Sequence, residues 1–227
     1  MSKSQSNTGV IFALIIIGLW LSCIVSLMQW EVDFQNPLLY LFVLIQMHLY
    51  TGLFITAHDA MHGTVSSSRF LNKAIGQICT ALYACFPFNK LKSKHHEHHE
   101  YVHTSNDPDF HSGSFLAWYF KFIATYLSLW QLVLMALVFN LLKIWVSELN
   151  LLLFWVLPSL LSTLQLFYFG TWLPHHGDHS NKHQSRTQNK NHLFAFFSCY
   201  FFGYHYEHHD SPGTPWWALW KLKESAS

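Results

Sequence analysis

The chain has 227 residues, of which 51% are apolar, 18% aromatic and only 11% charged, whereas a soluble domain usually carries about 25% charged residues. That deficit argues against a freely soluble protein and for a surface that faces lipid, in a single domain over 1–227. A formal net charge of +1 leaves no broad cationic field for nucleic acid, and four cysteines without a CxxC pair do not make a disulfide framework.

In chain order, Val10–Trp30 is an uncharged apolar run close to the ~20 residues needed to cross a bilayer core. A short acidic turn with Glu31 and Asp33 leads to a second span, Pro37–Ala57. Residues 58–114 are mostly polar and rich in histidine; within them Ala74–Phe88 is apolar but too short to span, and reads as a re-entrant or buried helix. Phe115–Lys121 is expected to lie along the membrane interface and Ile123–Leu142 to form a third span. Leu149–Gly170 is the fourth, with Pro158 inside it as the place where a kink is expected. A second histidine-rich region covers 171–210, and the tail Pro215–Lys221, with three tryptophans, has the composition of an interfacial anchor.

The expected architecture is therefore all-α and integral to the membrane, with four transmembrane helices and a helical cap that carries the histidines. Four spans put Lys3, the loop after span two and everything after span four on one side. That side holds every Lys and Arg except Lys143. The positive-inside rule then places both termini and both histidine regions in the cytoplasm.

Histidine is the compositional anomaly, with 17 copies, and three clusters have ligand spacing. His58 and His62 form an HxxxH pair at the end of span two; if the helix continues, they share one face. His95, His98 and His99 form an HxxHH box expected to present three nitrogens in one direction, and His205, His208 and His209 form a second. His175, just past span four, makes nine nitrogen donors. One metal takes four to six ligands, so nine donors call for two metals. A lone HxxxH is usually an ordinary surface pair; three spaced boxes on one membrane face are not.

Imidazole suits iron, copper, nickel or zinc. Zinc has no redox chemistry and rarely needs nine nitrogens, and the HExxH spacing of a zinc hydrolase is absent. Two Fe2+ ions with O2 as co-substrate are the expected cofactors. Ligating histidines commonly donate their outer N–H to a carboxylate or carbonyl; Asp59, Asp107, Asp109 and Glu207 are candidates for that supporting role, as is His176, the alternative to His175. His48 sits about 15 Å deeper than His58 at 1.5 Å per residue and is expected to be neutral and bonded to a neighbouring helix.

These motifs resemble the membrane fatty-acid desaturase and hydroxylase superfamily, and more narrowly its carotenoid ketolases. The resemblance rests on the run from Thr51 to Gly63 with its HDxxHG, on Asp107-Pro108-Asp109, on Gln165 to Thr171 and Leu173-Pro174-His175, and on Phe202 to His209 followed by Pro215-Trp216-Trp217. It covers nearly the whole chain. It implies a carotenoid substrate drawn from the bilayer, with the C4 methylene of a β-ionone ring oxidised to a ketone by two hydroxylations and loss of water. It also implies a ferredoxin-type electron donor, and the nine histidines as iron ligands. Two departures from the common pattern stand at Glu100-Tyr101-Val102-His103 and at His176-Gly177-Asp178. The rival readings are an acyl desaturase or lipid hydroxylase of the same superfamily, and a membrane metal transporter.

Overall fold

A computed structural model describes residues 7–225; Lys3 and the two chain ends lie outside that range. The described residues form helices and no strand: α1 Thr8–Leu27, α2 Pro37–His62, α3 Arg69–Ala84, α4 Phe88–Tyr101, α5 Phe115–Tyr126, α6 Leu129–Leu142, α7 Glu148–His175, α8 His192–Cys199, α9 His205–Asp210 and α10 Leu219–Ser225. Of these, α1, α2 and α7 are long and apolar enough to cross a membrane, and α5 with α6 makes a fourth crossing if the bent pair is taken as one.

α2 starts on a sound cap: the Asn36 side chain accepts from the Leu38 N–H, with Pro37 in the first turn, where its missing N–H costs nothing. It runs five residues further than the apolar run Pro37–Ala57, because nothing in His58-Asp59-Ala60-Met61-His62 breaks a helix. It stops at Gly63, whose φ of 77° is a left-handed C-cap. α3 then packs along α2, with the Asn72 amide on the Ala60 carbonyl at 2.7 Å and Tyr83 against Tyr50. Its C-terminal end thus lies about 15 Å below its start along α2, at 1.5 Å per residue. α4 climbs back, so the short apolar segment is one arm of a helical hairpin whose returning arm carries the first HxxHH box.

The third span differs from expectation. α5 runs on to Tyr126 and is followed by a break of 83°, where Leu127 is extended and the Ser128 side chain caps the new helix by accepting from Gln131 N–H. α6 alone, 14 residues, reaches only about 21 Å at 1.5 Å per residue, short of a ~30 Å hydrocarbon core.

α7 is longer than the expected fourth span and carries His175 in its last turn. It contains two π-helical turns, Leu152–Val156 and Tyr168–Trp172. Each is followed, two residues on, by a proline: Pro158 and Pro174. A proline inside a helix lacks the N–H that would bond four residues back and crowds that carbonyl, and widening the preceding turn relieves the clash.

The tail is a second difference. Trp216 is buried, not interfacial: its ring packs on Phe12 and Tyr200, and its backbone N–H donates to the Asp59 carboxylate at 3.1 Å. Trp217 also packs on Phe12. The start of α1, the C-terminal segment and the last turn of α2 therefore meet at one end of the bundle.

Candidate metal centre

The ends of α2 and α7, the C-terminal half of α4 and the short α9 bring the nine histidines together, in two groups. His58, His62, His95 and His208 offer ring nitrogens within 4.8 Å of one another; His98, His175, His205 and His209 do the same. His99 joins the first group, its Nε2 lying 3.1 Å from that of His95 and 3.0 Å from that of His208. Between the others the Nε2···Nε2 distances are equally short: 2.7 Å for His62 and His95, 2.9 Å for His175 and His205, 3.0 Å for His205 and His209.

Each HxxHH box therefore divides. Its i and i+4 members, His95 with His99 and His205 with His209, serve one group each, while the i+3 members His98 and His208 turn to the opposite group. The expectation that a box aims all three nitrogens one way is corrected by helix geometry: 300° of rotation separates i from i+3 and 400° separates i from i+4, at about 100° per residue, so the two members flank the first on opposite sides.

The outer nitrogens of the second group are anchored. His98 Nδ1 lies 2.9 Å from Asp107 Oδ1 and 3.9 Å from Asp109 Oδ2, and His175 Nδ1 is 2.8 Å from the Gln184 carbonyl. The same Asp107 carboxylate accepts the backbone N–H groups of His103 and Asp109. Burial disfavours a charged imidazole at His98, but the Asp107 bond and the nearby Asp109 outweigh it and raise the His98 pKa. Burial with neighbouring imidazoles lowers His95, His205, His208 and His209, and brings His99 down to about 2. Neutral rings keep a lone pair free to bind metal.

The residues present fit a metal pair. Both ring nitrogens of His58 are buried without a hydrogen-bond partner, an arrangement that normally costs about 1–3 kcal/mol for each unpaired group and that a bound cation relieves. An all-imidazole donor set suits a late first-row metal rather than magnesium or calcium.

The remaining candidates are placed as follows. Asp59 is buried 3.7 Å from His58 Nδ1 and its other oxygen holds Trp216, so it ties the tail to the ligand helix. Glu207 is buried, but its carboxylate accepts from the Thr187 hydroxyl rather than from a histidine. His176 does not support the cluster: it is exposed, with its ring edge-on to Trp172, because the helix ends at His175 and the next residue is extended. His48 stacks on Tyr200 at 4.3 Å and its Nε2 has no hydrogen-bond partner, contrary to the interhelical bond expected. His96 and His103, which the sequence leaves open between a supporting and a solvated role, both take a supporting one: His103 Nε2 is 3.1 Å from the His175 carbonyl and His96 Nε2 3.2 Å from the Met61 carbonyl. Sequence reasoning missed Gln184, whose contact is through backbone and leaves no trace in side-chain type.

An apolar cavity of about 520 Å³ ends on both groups. Its inner end is formed by His58, His95, His98 and His205, and its walls come from α2 to α7. Along α7 the lining runs from Leu152 to Thr171, a rise of about 28 Å at 1.5 Å per residue. Gly170 belongs to that wall; a Cβ there would meet the Phe202 ring at 2.6 Å, and Phe202 in turn packs on His58, His205 and His208.

The fatty acid desaturase family model matches residues 35–145 and 117–226, nearly the whole described bundle including every histidine above. The chain belongs to the fatty acid desaturase family. Among curated members it is 42% identical over 188 residues to a zeaxanthin 4-ketolase of Chlamydomonas reinhardtii, covering 78% of this chain and 42% of that protein. It is 41% identical over 184 residues to a β-carotene ketolase of Paracoccus sp. (strain PC1), covering 78% of this chain and 76% of that protein. To a β-carotene 4-ketolase of Haematococcus lacustris it is 42% identical over 186 residues, covering 75% of this chain and 58% of that protein. The chain thus spans about half the length of the algal relatives and three quarters of the bacterial one. No solved structure matches it. The desaturase fold and the two histidine groups are compatible with a non-haem iron site.

Proposed function

We propose that this protein is a membrane di-iron oxygenase that converts the C4 methylene of a β-ionone ring of β-carotene to a ketone, giving echinenone and then canthaxanthin. The observation that carries the reading is the apolar cavity that runs about 28 Å along α7 and ends on the histidines of both groups, in a chain whose relatives are ketolases of carotenoids. A rod-like hydrocarbon enters such a cavity from the bilayer without losing hydrogen bonds, and several polar groups on the wall are already paired within the protein. The Tyr83 hydroxyl, for example, is paired with the Thr163 hydroxyl at 2.9 Å.

His58, His62, His95, His99 and His208 would hold one iron, and His98, His175, His205 and His209 the other. When bound, the pair supplies O2 reduction and an oxidant for an allylic C–H bond. The chain's own part is placement. Asp107 and the Gln184 carbonyl fix two rings of the second group; Phe202 and the walls around Met61 exclude water and present one ring carbon to the imidazole face. Each of two hydroxylations at C4 takes one O2, two electrons and two protons and releases one water; the resulting geminal diol loses a further water to leave the ketone. Electrons would come from a ferredoxin-type partner on the polar side, and the Lys and Arg distribution supports a cytoplasmic position for that side, the site and both termini.

Pigment analysis of a β-carotene-producing host expressing the protein tests the reading. Echinenone and canthaxanthin are expected; an unchanged pigment profile with the protein present in the membrane fraction refutes it.

A further inference from the structure

We propose that Tyr126 is a positioning residue that ties the wall of the apolar cavity to His98, so that filling the cavity is felt at the second metal. The inference rests on the function proposed above. Tyr126 lines the cavity and is the last residue of α5 before the sharp break into α6. Its hydroxyl donates to Asp109 Oδ1. The other carboxylate oxygen of Asp109 is 3.9 Å from His98 Nδ1, and the Asp109 N–H is bonded at 2.8 Å to Asp107 Oδ1, the atom that holds the same ring nitrogen at 2.9 Å. At its other end Tyr126 is fixed through its carbonyl, which accepts from Lys90 Nζ at 3.0 Å; Lys90 lies on α4, the helix that carries His98.

The elbow between α5 and α6 is thus joined at both ends to the segment and helix that aim one imidazole. Phe122, Ile123 and Leu127 flank Tyr126 on the same cavity wall, so a bound rod-like molecule presses on the elbow. Trp118 donates to the Asp109 carbonyl and Lys121 to the Phe110 carbonyl. These bonds hold the 107–110 segment in place without the tyrosine, so loss of the Tyr126 hydroxyl leaves the fold standing and removes one link to the Asp109 side chain.

The test uses the full chain, loaded with 57Fe in detergent and examined by Mössbauer spectroscopy with and without β-carotene. In the wild type, β-carotene is expected to change one of the two iron signals. In Tyr126→Phe, carotenoid still binds, neither iron signal responds, and kcat falls roughly tenfold with KM within about twofold, the scale of an outer hydrogen-bond partner. Should Tyr126→Phe fail to accumulate, Asp109→Asn, which weakens the contact to His98 at the other end of the link, is expected to abolish the same response. A variant whose iron signals answer β-carotene as the wild type does, or one changed only in KM, overturns the inference. Wild-type iron that ignores β-carotene while the ketone still forms also overturns it and leaves the function intact. A wild type that neither binds nor converts β-carotene overturns the function itself.

Discussion

The two histidine groups are built from the same residue type on overlapping helices, yet they differ in how firmly they are held. His98, His175, His205 and His209 are all buried, and two of the four have their outer nitrogen fixed by a carboxylate or a carbonyl. In the other group only His58 and His208 are fully buried; His62, His95 and His99 are half-buried and reach the polar side, and among the described residues no carboxylate lies within hydrogen-bond distance of their rings. The lesson is that a helix-borne box of identical ligands can serve one rigid and one open site at once, because alternate members of the box face different neighbours.

The largest expected effect tests whether both groups are needed. His98→Ala and His208→Ala should each remove one iron and lower ketone formation on the order of 100-fold or more, at or beyond the upper end of what loss of an outer partner costs. Iron content per chain and pigment conversion are the measurements; full activity in either variant would mean that its group holds no catalytic metal. Next, Asp107→Ala should cost about 10–100-fold in activity or metal affinity and act on the second group alone. An iron signal altered in both sites would contradict the separation. Third, a chelator added to the iron-loaded protein should strip the open group first, so that time courses of iron release show two phases; a single phase would erase the difference between the groups.

Two smaller effects sharpen the comparison. Gly63 closes α2 directly after His62 with φ 77°, and Gly63→Ala should cost about 1–2 kcal/mol, read as a lowered Tm in detergent, with the first group's iron loosened and the second's retained. Finally, the metal-free protein should lose stability as pH falls below the 6.5 of an ordinary histidine. His95, His99, His205, His208 and His209 have lowered values in the folded state, so below 6.5 the unfolded chain takes up protons that the folded one refuses, and the loss continues downward toward the value of about 2 at His99. Thermal melts across pH 7.5 to 5 check this; a flat profile would mean that the rings are more open to water than the fold indicates.

Much of the site was legible because ligand spacing is local. The i, i+3, i+4 pattern and the apolar run of α2 are written in adjacent residues, and the extension of that helix through His62 follows from the absence of any breaker before Gly63. What could not be read was long-range. Whether His98 joins His95 or His175 depends on how α4 sits against α7 and α9. The partners of His175 and His103 are backbone carbonyls, which every residue possesses. The break at Leu127–Ser128 carries no glycine or proline; Ser128 as a cap inside an apolar run was its one local sign. Trp216 reads as an interfacial residue by composition, and only long-range contacts make it part of the core: its ring on Phe12 and Tyr200, and its backbone N–H on Asp59, 157 positions away.

The two wide turns of α7 amount to one surplus residue apiece, set in a helix whose neighbours have none. Removing a residue from Tyr168–Trp172 would let the helix tighten to a regular spiral without shifting its flanks along the axis, yet Pro174 would then strike the carbonyl it now avoids. The helix thus has two slots that each absorb one surplus residue, one of them immediately ahead of His175, so that chain length there is decoupled from the direction in which that imidazole points.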